Sequence, residues 1–361
     1  MKIYSKVYLP NKKLYKKYVD RIYEKSWVTN NGELKKKLEK KLEKFLSVKN
    51  LILVSSGTIG LQIAYKVLGL SGNVITTPFS YVATSNTLIW DGLKPKFVDI
   101  KKDSLNIDVS KINSKIDKKT SAILPVHVFG NPCNIFEINK IAKEKKLKII
   151  YDASHCFNTF FKGKSVLNYG DISVMSLHAT KIFHTIEGGA IITKSDQLAK
   201  KIRMMINFGK DQEDNYKMLG INAKMNEFEA AMGLSNLSEF KKIIKYRKEI
   251  WVTYKNYLAD FFQLQDLNLN SNPNYSYFPI IFKNEKKLLN AMYNLEKNNI
   301  FVRRYFYPSL DQIYANKNYG ICPNSREISK KILCLPISND MTKINQLKII
   351  EILKLSQIKN N

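Results

Sequence analysis

Cysteine and histidine are scarce in this chain, four of each among 361 residues. Cys133, Cys156, Cys322 and Cys334 make no C-x-x-C pair and no metal-finger spacing with the histidines. No structural metal site is therefore expected, and the thiols read as free, reduced and mostly buried. The dinucleotide fingerprint G-x-G-x-x-G is missing. So is the phosphate loop G-x-x-x-x-G-K-[ST]: a "GKS" occurs at Gly163–Ser165, but Asn158 stands where the leading glycine is required. No apolar run is long enough to span a bilayer, and the opening "MKIYSKVYLPNKKLYKKY" has no apolar signal core. A soluble, cytoplasmic protein without membrane partners is the expectation.

Acidic residues are also few, 31 against 59 lysines and arginines, for a net charge of +28. A nucleic-acid reader would gather its cations on one face, with arginine prominent. Here arginine is scarce beside lysine, and the lysines are spread along helices such as "GELKKKLEKKLEKFLS". Leu34, Leu38, Leu42, Phe45 and Leu46 form one face of that helix, and the charges cover the rest. Nucleic acid is not expected as a partner, although a basic surface suits small anionic molecules.

Hydrophobic content of 44% and charged content of 25% are those of a globular protein. From residue 50 to 195 short apolar runs alternate with helical segments: "LILVSS", "GTIGLQIAYKVLGL", "NVITTP", "YVATSNTLIWDG", "KPKFVDI", "SAILPVHVFG", "IFEINKIAKEKK" and "LKIIYDAS". Such alternation predicts an α/β fold with a mostly parallel sheet covered by helices. Residues 1–245 are expected to form this large domain, with the first thirty or so docking on the small one. Residues 246–361, mixing the strand "YSYFPIIF" with helices, are expected to form a smaller α+β domain. Ligands of parallel sheets sit at the carboxyl ends of the strands, so chemistry is sought there.

Three features stand at those ends. "SSGTIG", residues 55–60, places caps and a sharp turn before a helix whose free N–H groups attract phosphate. Asp152 ends an apolar run, where a carboxylate is costly unless a positive partner meets it. Lys181, in "SLHATKIFHTIEGGAIIT", lies between two strands in a polar stretch without other cations. An acid, a phosphate-binding turn and such a lysine are the parts needed to hold pyridoxal phosphate. The lysine forms a Schiff base and the acid keeps the ring nitrogen protonated.

The blocks "SWVTNNGELKKKLE", "SSGTIGLQIA", "TTPFSYVATSNTL", "PVHVFGNPCNI", "YDASHCF", "MSLHATKIFHTIEGGAIIT", "GINAKMNEFEAAMGL" and "VRRYFYP" occur in one order along nearly the whole chain. In them the sequence resembles the DegT/DnrJ/EryC1/StrS family of nucleotide-sugar aminotransferases. The resemblance implies an aspartate aminotransferase-like, fold type I large domain with a mixed, mostly parallel sheet. It also implies pyridoxal 5′-phosphate as cofactor and no metal. Lys181 then carries the cofactor, Asp152 pairs with the pyridine nitrogen, and His155 lies close to the ring. Gly57, Thr58 and Ser176 contact the phosphate. Tyr81 stacks on the ring, with Phe79 as the other candidate for that place. Asn222 reaches the phosphate of a neighbouring subunit, which implies a homodimer with shared active sites.

Retention of Lys181 implies transamination, with L-glutamate as donor and a nucleotide-linked keto-sugar as acceptor. "TIEGG" and "VRRYFYP" look most like the branch acting on a C3 ketone of dTDP-6-deoxyhexoses in surface-glycan synthesis. Arg303, Arg304, Tyr305 and Tyr307 would then lie near the nucleotide. His178 is a further candidate substrate contact, and Glu187 either builds a turn or serves the site. The alternatives are a C4 ketone on a dTDP or UDP carrier, or a sensor that uses the fold without catalysis.

Overall fold

The computed structural model describes residues 2–358. Two helices, α1 (Lys12–Lys25) and α2 (Glu33–Leu46), precede an alternating region. It runs β1 (Asn50–Val54), α3 (Gly57–Val67), β2 (Asn73–Thr76), α4 (Ala83–Trp90), β3 (Lys94–Phe97), β4 (Thr120–Leu124), α5 (Ile135–Lys145) and β5 (Lys148–Asp152). A two-stranded hairpin, β6 (Phe160–Phe161) with β7 (Lys164–Ser165), leads to β8 (Ile172–Ser176), β9 (Gly189–Thr193) and α6 (Asp196–Met205). The long helix α7 (Glu227–Leu258) comes next. The chain ends with β10 (Gln263–Leu264), β11 (Pro279–Ile281), α8 (Glu285–Lys297), α9 (Leu310–Ile313), α10 (Pro323–Lys331), β12 (Ile332–Cys334) and α11 (Lys343–Ile358).

Seven strands form one sheet in the order β1-β9-β8-β5-β4-β2-β3. Only β9 runs against the others, so the sheet is mixed and mostly parallel, as expected. Its strands read as unbroken apolar runs because both faces are covered. On β1, Leu51 and Leu53 face one core while Ile52 and Val54 face the other. The first core packs α2, α5 and the start of α7; the second packs α3 and α6. Each fully buried leucine contributes roughly 1.5–3 kcal/mol to this arrangement.

Beyond α7 the strands β10, β11 and β12 form an antiparallel sheet. The end of α7 packs with α8 and α11 against it in a third core. The division expected after residue 245 falls inside α7. At the other end of the chain, Ile3 bridges Ile300, whereas Tyr8, Tyr15, Tyr18 and Ile22 pack into the first core.

The stretch "YSYFPIIF" is a strand only at Pro279–Ile281. Tyr275 has φ 56°, a left-handed conformation that a strand does not admit. The carbonyls that follow are held from α7: Arg247 donates to Tyr275 and Ser276, and the Trp251 indole donates to Tyr277. No helix among the described residues is long and apolar enough to cross a membrane. All four cysteines are free and buried.

Candidate active site

The carboxyl ends of β1, β5 and β8 open on one cavity of about 320 Å3. At β1 the chain turns at Ser55-Ser56 into α3. The Ser56 side chain caps the helix by accepting from the Ile59 amide at 3.2 Å. The first amides of a helix have no intrahelical acceptor and carry the positive end of its dipole. Gly57 and Thr58 present that end to the cavity. A side chain at position 57 would meet Ser176 Cα and Cβ at 3.2 Å, so glycine lets α3 lie directly against β8. At position 189 a Cβ would stand 2.5 Å from the Gly57 nitrogen. Two glycines thus bring the β9 backbone and the α3 turn together, with Ser176 at the same edge.

Asp152 closes β5 and is buried, at 6% exposure. Its Oδ2 accepts from the Thr84 hydroxyl at 2.8 Å, and its Oδ1 accepts from the Ser154 amide at 3.1 Å. Ser80 lies 2.7 Å from the Thr84 hydroxyl and completes the chain of hydroxyls. Four or so lone-pair sites on a carboxylate exceed these two bonds. Asp152 therefore keeps capacity for a cationic N–H in the cavity that it lines.

Lys181 enters from the loop between β8 and β9, and its Nζ approaches the Tyr277 hydroxyl at 3.4 Å. Burial pushes the lysine pKa down from its ordinary value, and Arg303 adds to the effect. Asp152, Tyr81 and Tyr305 act against it. The amine is thereby brought nearer to its nucleophilic form. The His155 ring lies against Tyr277 with centroids 4.6 Å apart. Its Nδ1 accepts from the Phe129 amide at 3.2 Å, which places the proton on Nε2. Burial, and secondarily the Lys181 charge, hold its pKa well below the ordinary value, so this imidazole is neutral.

Tyr81 stands at the mouth, 63% exposed, while its neighbour Phe79 is fully buried among Phe129 and Phe306. Phe79 belongs to the core, and Tyr81 is the aromatic available to a ligand. His178 is exposed at the rim; its Nδ1 contacts Thr180, and its Nε2 lies 3.4 Å from Glu187. Arg303 and Tyr305 line the cavity, and the Arg303 guanidinium donates to the Tyr305 hydroxyl at 2.8 Å.

Two expected nucleotide contacts lie elsewhere. Arg304 pairs with Glu285, donates to the Lys330 carbonyl and covers the Tyr307 ring at 3.5 Å. Arg304 and Tyr307 therefore serve the small sheet's surroundings and are absent from the cavity wall. Asn222 is also outside the cavity of its own chain. It is exposed on a segment bridged to Asn207, and the next residue, Ala223, accepts from the Ser55 amide. Thr84 and Tyr277 were not anticipated as site residues. Thr84 stands inside the quoted "YVATSNTL" block, and Tyr277 was hidden in an apparent strand.

The donor set fits pyridoxal phosphate. It comprises a helix start whose free amides suit an anion, a buried carboxylate with spare acceptor capacity, a lysine of lowered basicity and an exposed tyrosine at the mouth. This fold and site define a pyridoxal-phosphate-dependent aminotransferase. Residues 11–354 match the DegT/DnrJ/EryC1/StrS aminotransferase family, and the chain belongs to it.

Relatives include a dTDP-4-amino-4,6-dideoxy-D-glucose transaminase of Shigella dysenteriae, 42% identical over 90% of each chain. One of the same name from Escherichia coli is 39% identical over 96% of each. A GDP-perosamine synthase of Vibrio cholerae is 31% identical over 81% of this chain and 82% of its own. Among solved structures, DesI in the presence of its TDP-sugar product superposes with a TM-score of 0.93 and 28% identity. That match covers 99% of this chain and 93% of the other. The chain is thus an aminotransferase of that family.

Proposed function

We propose that the protein moves the amino group of L-glutamate to C4 of a dTDP-linked 4-keto-6-deoxyhexose, for surface-glycan amino-sugar synthesis. The observation that carries this reading is the convergence of Lys181, Asp152 and the start of α3 on one cavity. The names of the Shigella and Escherichia relatives supply the carrier and the position. The C3 ketone expected from "VRRYFYP" has less support, because Arg304 and Tyr307 of that block face away from the cavity.

Bound pyridoxal phosphate supplies an aldehyde for the incoming amine and a ring that takes up electrons. In this reading Gly57 and Thr58 amides and the Ser176 hydroxyl bind its phosphate. Asp152, fixed by Thr84 and the Ser154 amide, would hold the proton on the ring nitrogen. Tyr81 would stack on the ring, and His155, a neutral imidazole, would lie near it. Lys181 Nζ would hold the cofactor's aldehyde carbon and, with donor bound, would carry the proton off the donor's α-carbon.

Asn222 would reach the phosphate held by a second copy, making a homodimer the working form. Its exposure, and that of Phe208, Tyr216, Leu219 and Ile221 around it, supports this. The four buried free thiols suit a reducing compartment, the cytoplasm.

The test is a panel of dTDP- and UDP-linked 3-keto and 4-keto sugars incubated with L-glutamate, the products read by NMR. Nitrogen at C4 of the dTDP sugar is expected. Nitrogen at C3, or turnover of UDP sugars alone, would overturn the specificity.

A further inference from the structure

Between β10 and β11 the chain leaves the small sheet, and residues 265–278 form neither helix nor strand. Amide side chains tie this strap to the large sheet's side. Gln265 donates to the carbonyls of Ser104 and Val128 at 2.8 and 3.1 Å. The Asn268 amide donates to Asn131 Oδ1 at 2.8 Å, and the Phe160 amide to Asn272 Oδ1 at 2.7 Å. Ties of this kind hold a loop down and need no functional reason.

Asn274 is different, because it is fully enclosed, at 2% exposure, and grips the backbone beside two cavity-lining rings. Its Nδ2 lies 2.6 Å from the His155 carbonyl, 3.2 Å from that of Phe157 and 3.1 Å from Thr159 Oγ1. Two amide protons thus serve three acceptors of one turn. Its Oδ1 accepts from the Ser276 amide at 3.1 Å, one residue before Tyr277. Gly130 leaves the room for this grip: a Cβ there would stand 3.0 Å from both ends of the Asn274 amide. From the far side the Phe129 amide holds the His155 ring through Nδ1.

The His155 and Tyr277 rings meet with centroids 4.6 Å apart, and the Tyr277 hydroxyl lies 3.4 Å from Lys181 Nζ. Asn274 itself is not part of the cavity wall. Any effect it has on the chemistry passes through those two rings. We propose that Asn274 is a positioning residue, which clamps the His155–Tyr277 pair against Lys181 and so keeps water from the amine. This role rests on Lys181 being the reactive amine of the site.

Lys181 is faced by Asp152 at the end of β5, Tyr81 before α4, His155, Tyr277, Arg303 and Tyr305, with His178 and Glu187 at the rim. Burial is the largest influence on its pKa and lowers it; Tyr305, Asp152 and Tyr81 act upward and Arg303 downward. His155, kept neutral by burial, and Tyr277, kept protonated by burial, enclose the amine without adding a charge. Releasing the two rings admits water, and the lysine pKa then climbs towards its ordinary value. Free amine becomes available only at higher pH.

The experiment uses the full chain freed of cofactor, as wild type, Asn274→Leu and Asn274→Ser. Pyridoxal phosphate is added across a pH series, and the rate at which the visible band appears is followed. Borohydride reduction and peptide mass analysis then locate the labelled lysine, and denaturant unfolding reads stability separately. Leucine removes every hydrogen bond of the clamp. Serine keeps a single donor and decides the matter if the leucine variant misfolds.

The pH midpoint of cofactor capture should rise by about one unit in Asn274→Leu and about half as much in Asn274→Ser, as for an amine partly returned to water. A clamp that serves stability alone would lower the unfolding midpoint and leave the capture midpoint where it is. An unmoved capture midpoint in either folded variant therefore overturns the proposal, with Lys181 still labelled. A wild-type label on another lysine overturns the reading of the site and this role with it.

Discussion

At the scale of single residues the site depends on groups whose charge is set by their neighbours. Lys181 stands out in the sequence because it lacks charged company, and in the fold that isolation becomes burial and a lowered pKa. Asp152 is legible for the complementary reason: a carboxylate after an apolar run has to find a partner. Its actual partners within the chain are less legible. Thr84 is one of many threonines, and only the parallel placement of β2 and β5 in one sheet brings α4 over the end of β5. We predict that Thr84→Val keeps the fold but leaves one carboxylate oxygen without its donor. Loss of a hydrogen bond to a charged group costs about 1.5–3 kcal/mol. Cofactor affinity, read by equilibrium dialysis, should therefore fall roughly tenfold or more. Unchanged retention would show that Thr84 has no part in holding Asp152 for the ring.

At the scale of elements, long and strongly patterned segments were readable. The parallel strands announced themselves as apolar runs, and α3 and α5 appeared close to their observed limits. The small sheet was not readable, because its strands are only two or three residues long and gain their pairing from packing. "YSYFPIIF" looks like a strand by composition, yet two α7 side chains capture its carbonyls and place Tyr277 beside Lys181. Arg303 and Arg304 illustrate another limit. Adjacent residues on extended backbone face opposite ways, so a one-residue difference decides between the cavity and Glu285.

The approach of β9 to α3 is a feature on which the proposed phosphate site depends. Gly189→Ala would set a methyl group 2.5 Å from backbone atoms of Ser56 and Gly57. Neither element can yield without moving the helix start. We predict a loss of about 1–3 kcal/mol of stability, as for overpacked cores, measured by denaturant unfolding, together with weakened cofactor binding. A variant as stable as wild type would mean that the turn is looser than its geometry implies.

At the scale of the whole molecule, the cavity lies between the large sheet and the segment that enters the small one. It is bounded by Lys181 and Asp152 on one side and by Tyr277, Arg303 and Tyr305 on the other. The exposed Asn222 and its apolar neighbours leave one face suited to a second copy. Sedimentation velocity should accordingly give a single species near twice the 41.8 kDa chain mass. A monomer that turns over at full rate would remove Asn222 from the account. The net charge of +28 suits the anionic substrate proposed above.

The central claim is that one lysine-centred cavity takes an amino group from glutamate and gives it to a nucleotide-linked keto-sugar. The most direct measurement is the visible absorption of the purified, cofactor-loaded protein through one full cycle. Glutamate should remove the Schiff-base band, and a dTDP-4-keto-6-deoxyhexose should restore it. Lys181→Ala should lack both the band and turnover. A wild-type band indifferent to glutamate, or full turnover in Lys181→Ala, would contradict the account.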